Sequence, residues 1–153
     1  MSTQSTTHAS FTLERHFPAS PEHVYAAFAT EEGKHAWFVG PAEWEQTEWE
    51  LDFREGGTEI NTGGPVGGPV SRFVAQYHDI VPNERIVYSY KMTVDGKNLS
   101  ASVASIELEP GTDGGTHLTM TEQGVYLDNM DNPAQREQGT RDLLDALAAS
   151  LAG

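Results

Sequence analysis

From Phe11 the chain alternates. Phe11, Leu13, Arg15 and Phe17 fall on one side and Thr12, Glu14 and His16 on the other, until Pro18 stops the run. This pattern predicts a half-buried strand. Ser20-Pro21-Glu22 predicts a helix start, with Ser20 as the cap, Pro21 at the first helical position and an acid in the first turn. Val24 and Phe28, with Tyr25 and Ala27, form its apolar stripe. Thr30-Glu31-Glu32 repeats the signal for a second short helix ending near Trp37-Phe38. From Thr47 to Arg54 the alternation returns, Trp49, Leu51 and Phe53 opposing Glu48, Glu50, Asp52 and Arg54. One dry face and one wet face indicate an antiparallel sheet. Gly56-Gly57 predicts a turn, and Thr58 to Thr62 a return strand.

A Gly-Gly-Pro-Val sequence follows twice, from Gly63 to Val70, and reads as a flexible loop serving as a lid. Arg72 to Val81 places Phe73, Ala75 and Tyr77 on one parity, and Pro82-Asn83-Glu84 makes a turn. Arg85 to Val94 places Ile86, Tyr88, Tyr90 and Met92 together, and Asp95-Gly96 predicts a hairpin. Leu99 to Glu109 alternates less cleanly, and Thr116 to Gln123 puts Thr116, Leu118, Met120 and Glu122 on one face. After a loop from Gly124 to Asp131, Asn132 caps a long amphipathic helix with Thr140, Leu143, Leu144, Leu147, Ala148 and Leu151 at helical spacing. Residues 1–10 are small, polar and without period, and read as a frayed tail before one domain over 11–153. An antiparallel sheet whose dry face is covered by the last helix makes an α+β domain.

Composition narrows the function. The chain has 153 residues and no cysteine, so disulfides, thiolate nucleophiles, iron–sulfur clusters and cysteine-bound zinc are excluded. Twenty-three acidic against 9 basic residues give a formal charge of −14, which repels phosphate backbones and anionic lipid. Neither nucleic-acid nor membrane binding is expected. No apolar stretch approaches the ~20 residues of a membrane helix, and a cytoplasmic protein is the expectation.

The six histidines, His8, His16, His23, His35, His78 and His117, show no metal-ligand spacing, and neither a metal nor a cofactor is expected. The acidic run Glu43, Glu45, Glu48, Glu50, Asp52, Glu55 and Glu59 reads mostly as a solvated sheet face. Glu122 differs, because the parity of Leu118 and Met120 aims it at the dry face. A carboxylate there is desolvated and its pKa raised unless partnered, a tyrosine hydroxyl being the nearest candidate partner. The plainer alternative, that Glu122 reaches water at a strand end, carries more weight on sequence alone. The aromatic residues divide evenly between core alone and core plus an apolar pocket with few polar groups.

Several segments resemble one known family. Phe11-Thr12-Leu13-Glu14-Arg15-His16-Phe17-Pro18-Ala19-Ser20-Pro21 with His23-Val24-Tyr25-Ala26-Ala27-Phe28 is similar to the opening of the family related to the activator of heat-shock protein 90 ATPase. So are Trp37-Phe38-Val39-Gly40-Pro41, Asp52-Phe53-Arg54-Glu55-Gly56-Gly57 and Ile80-Val81-Pro82-Asn83-Glu84-Arg85-Ile86-Val87-Tyr88. Gly114-Gly115-Thr116-His117-Leu118-Thr119-Met120-Thr121-Glu122-Gln123-Gly124 is similar to the family's last strand. The resemblance implies the helix-grip fold of the START and polyketide-cyclase superfamily, in which a curved sheet wraps the last helix and a cavity lies between. It also marks a departure: the family's final helix commonly has Gly-Trp, whereas Gly139 precedes Thr140 here, and the smaller residue enlarges the cavity.

Fold does not fix function, and the resemblance carries no shared catalytic motif. The reading adopted is a non-catalytic binder of a hydrophobic or aromatic small molecule. Trp37, Phe53, Phe73, Tyr77, Tyr88, Tyr90, Met92, Met120, Glu122, Tyr126, Thr140 and Leu144 are expected around it. The alternatives are a cyclase- or dehydratase-like enzyme using Glu122 with Tyr88 or Tyr90, and a chaperone-associated protein. A homodimer stays open.

Overall fold

Every strand of this chain pairs antiparallel with its neighbours, in the order β1-β7-β6-β5-β4-β3-β2. The computed structural model describes residues 4–40 and 43–152. Met1 to Thr3 of the expected tail, and Pro41, lie outside them. The elements are β1 (Thr6–Phe17), α1 (Pro21–Ala29), α2 (Glu31–His35), β2 (Trp44–Leu51), β3 (Thr58–Pro65), β4 (Ser71–Val81), β5 (Arg85–Val94), β6 (Lys97–Pro110), β7 (Thr116–Leu127) and α3 (Pro133–Ala152). The result is a curved α+β architecture, with the two short helices after the first strand and the long helix last.

Local chemistry sets the boundaries. Ser20 Oγ accepts from the His23 amide at 3.2 Å to open α1, and Thr30 Oγ1 accepts from the Gly33 amide at 3.0 Å to open α2. Asn132 accepts from the Gln135 amide at 2.9 Å at the start of α3. At the β5–β6 hairpin Asp95 and Gly96 both have positive φ, 50° and 79°, which matches the twist of the strands they join.

Three loop or tail expectations are corrected. Residues 6–10 are strand, not tail, and Gly124 to Leu127 are strand, not loop. The two stretches pair with each other, Thr6 opposite Leu127 and Ser10 opposite Gln123, so each supplies the hydrogen-bonding partner that the other's weak pattern concealed. The glycine repeat is not a free lid. Gly63, Gly64 and Pro65 complete β3 and pair with Gln46, Glu45 and Trp44, so only its second half makes the turn into β4. Glu59, read with the solvated acids, is fully buried.

The core lies between α3, α1 and the inner sheet face. Leu144 and Leu147 of α3 join Leu118, Met120, Ile106 and Ile86 from the sheet and Val24 and Phe28 from α1. Strand β6 makes this face uneven. Its inner positions are small toward one end, Ser100, Ser102 and Ala104, and large toward the other, Ile106 and Leu108. The large end packs into the core, whereas the space over the small end is taken by larger side chains of the neighbouring strands and of α3. Leu147 is 0% exposed, so Leu147→Ala should destabilise the protein by ~2–5 kcal/mol through the cavity it leaves. Denaturant unfolding measures this, and a change within error would mean that α3 is not docked as described.

Candidate functional site

A cavity of about 520 Å³ occupies the room between α3, α2 and the inner sheet face. Nine of the expected residues line it: Trp37, Phe73, Tyr88, Tyr90, Met92, Met120, Glu122, Thr140 and Leu144. The other three do not. Tyr77 is turned into the core, where its hydroxyl donates to Glu59 at 2.6 Å, and Phe53 packs edge-on against it at 4.9 Å. Tyr126 is 2% exposed and covered by Arg136, whose guanidinium carbon stands 5.4 Å from its ring. Phe38, next to the expected Trp37, and Asn61, from a strand that carried no such expectation, add to the lining.

The polar end of the cavity is built across β6. Tyr88 lies opposite Ala104, which lies opposite Glu122, and Tyr90 lies opposite Ser102, which lies opposite Gly124. Because the intervening β6 residues are small, large side chains from β5 and β7 meet over them. The Tyr90 hydroxyl donates to Glu122 Oε2 at 2.8 Å. Gly124 belongs to this arrangement, since a Cβ there would stand 2.8 Å from Ser102 Oγ and 3.2 Å from the Tyr126 ring.

Arg136 holds the cluster from above. It donates to the Tyr90 hydroxyl at 2.9 Å, to Ser100 Oγ at 2.9 Å and to Asp131 at 2.6 Å. Its guanidinium reaches within 4.0 Å of Glu122 and lies over the Tyr90 ring. Sequence reasoning missed Arg136, although a signal was there: residues 136, 140 and 144 share one helix face at four-residue spacing. Asp131 and Ser100 had no comparable signal.

Glu122 is 2% exposed. Burial pushes its carboxyl above the ordinary glutamate value, while the Tyr90 hydrogen bond and the Arg136 charge pull the other way. Burial and the Glu122 charge also push the Tyr88 and Tyr90 hydroxyls up, so both stay protonated. Burial alone would lower Arg136, yet Tyr90, Asp131 and Glu122 hold it above its ordinary value. Among the described residues, the Tyr88 hydroxyl and Glu122 Oε1 make no hydrogen bond. Both atoms are left available at the polar end of a largely apolar chamber rich in aromatic rings.

At the α2 side of the cavity Lys34, 5% exposed, pairs with Glu59 at 3.0 Å. Its ammonium also lies 4.6 Å from the centre of the Phe38 ring. Among the described residues, no group of three histidines or carboxylates could hold a metal ion. No helix among them is long and apolar enough to cross a membrane.

The family model described as Activator of Hsp90 ATPase homolog 1-like protein matches residues 18–152. The chain is similar to the solved Mll3558 protein of Rhizobium loti, at 45% identity and TM-score 0.88, over 95% of this chain and 99% of that one. It is similar to an uncharacterized protein of Rhizobium leguminosarum at 39% identity and TM-score 0.91, over 97% of each chain. For the CV1439 protein of Chromobacterium violaceum the values are 27% and 0.77, over 94% of this chain and 97% of that one. No curated protein matches. The shared architecture is the START-like helix-grip fold.

The raised Glu122 carboxyl has a consequence for stability. A carboxyl whose value is higher folded than unfolded contributes stability below its ordinary value, near 4.5, that is lost as pH rises through the folded value. Glu122→Gln removes that loss. The stability of wild type minus that of the variant should therefore fall from below pH 4.5 to neutrality in parallel denaturant titrations. A difference independent of pH would mean that burial does not shift Glu122.

Proposed function

Because this chain belongs to the Activator of Hsp90 ATPase homolog 1-like family, we propose that it binds a hydrophobic, aromatic small molecule in the cavity between sheet and helix. The observation that carries this reading is the pairing of an aromatic chamber with two unspent polar atoms, Glu122 Oε1 and the Tyr88 hydroxyl. A volume of about 520 Å³ lies within the ~300–1,000 Å³ of small-molecule sites. Burying an aromatic body among Trp37, Phe38, Phe73 and Tyr90 supplies the affinity. Glu122 and Tyr88 supply the orientation, accepting from or donating to one polar group of the ligand. Arg136 and Asp131 support that end by fixing the Tyr90 hydroxyl.

An acid–base enzyme is the second reading, favoured by the raised Glu122 carboxyl beside a protonated tyrosine. Against it, among the described residues no second carboxylate lies beside Glu122 inside the chamber. Glu45, the other acid in the lining, is exposed on β2, and Asp131 is engaged with Arg136. The chaperone reading draws support from the family name alone.

Native mass spectrometry of protein purified from its own host tests the first reading, which expects a retained small molecule. Binding of the neutral fluorophore N-phenylnaphthylamine tests it independently of the natural ligand. Glu122→Gln should keep the fold and shift fluorophore affinity by ~1–3 kcal/mol, the range for an altered buried hydrogen bond. Wild-type protein that retains nothing and leaves the fluorophore dark would refute the reading. Turnover of a retained compound that Glu122→Gln abolishes, with binding intact, would establish the enzyme instead.

A further inference from the structure

Gly139 lies well inside the 20-residue helix α3. A glycine there weakens the helix relative to alanine, because its backbone is freer in the unfolded chain. No packing constraint calls for it: a Cβ built on Gly139 meets no atom within 4 Å. Gly124, by contrast, is required by its close neighbours. Yet Gly139 is both exposed and part of the cavity lining, which places it at the mouth.

Its neighbours keep the same wall low. Thr140 also lines the cavity, and its hydroxyl is spent on the Arg136 carbonyl at 2.9 Å, so it offers the cavity no free donor. Leu143, on the following turn, is the next large side chain of that wall. Val39, after α2, and Trp44, the first residue of β2, are 41% and 39% exposed and add apolar side chains to the rim.

We propose that Gly139 is a specificity-determining residue, its missing side chain leaving a slot through which an elongated apolar ligand runs out along the α3 backbone. This rests on the cavity being a ligand site. The polar group of such a ligand sits at Glu122 and Tyr88, and its far end lies between Gly139 and the side chains of Val39 and Trp44. Short aromatic ligands fill the interior without reaching the slot. The glycine is thus kept for ligand length at the expense of helix stability.

The experiment compares two probes, N-phenylnaphthylamine as the long one, read by fluorescence, and indole as the short one, read by calorimetry. The proteins are wild type, Gly139→Ala, Gly139→Leu and Gln138→Leu, the last adding the same bulk at an exposed position outside the cavity lining. Gly139→Ala should melt about 2–4 °C higher without probe, as expected for replacing a helical glycine. Gly139→Leu should bind the long probe about tenfold or more weakly, the scale of an overpacking clash, and indole as wild type does. Gln138→Leu should match wild type with both. Unchanged long-probe affinity in Gly139→Leu, or an equal loss for both probes, would overturn the slot. A wild type that binds neither probe would overturn the cavity reading itself, and the slot with it.

Discussion

A carboxylate stands where an apolar sheet face faces its covering helix, and the rest of the structure is arranged to keep it there. Glu122 takes the inner position after Leu118 and Met120 on β7, at 2% exposure. An isolated charge so placed would cost several kcal/mol. The Tyr90 hydrogen bond offsets part of that cost, and Arg136 adds a smaller share from 4.0 Å. Arg136 is in turn fixed by Asp131 and Ser100, so β5, β6, β7 and α3 are tied through one buried group.

The same tie forms one end of the open space. The small β6 residues Ser100, Ser102 and Ala104 do not line the cavity; Tyr90, Glu122 and Arg136 close over them and form its polar end. On the α2 side, the buried Lys34–Glu59 pair and the Tyr77 hydroxyl join α2 to β3 and β4. Two buried polar networks thus flank an aromatic chamber and hold its walls apart. Removing one partner of the Lys34–Glu59 pair leaves the other charge buried without its counter-ion, which costs more than the pair stabilises.

Much of this was legible in the sequence because period-two and helical patterns mark faces directly. The parity of Leu118, Met120 and Glu122 aimed the carboxylate inward, although its place at a strand end weighed toward water, and that of Tyr88, Tyr90 and Met92 put the tyrosines together on one face. What escaped depends on pairing between distant segments. Thr6 to Ser10 and Gly124 to Leu127 lack pattern alone and become strand by pairing, the first against β7 and the second against both β1 and β6. Tyr77 shares its parity with Phe73, yet Glu59 draws its hydroxyl into a core network that no local pattern announces. Arg136 was readable one turn before Thr140, but a charged residue on an apolar stripe passes as its solvated edge.

The most direct test is the titration of the Glu122 side-chain carboxyl carbon by NMR, with and without N-phenylnaphthylamine. A buried, cavity-facing carboxyl should show its midpoint above the ordinary glutamate value near 4.5, and that midpoint should move when the probe fills the chamber. A midpoint at the ordinary value that ignores the probe would contradict the account, because the group from which the site is built would then be in water.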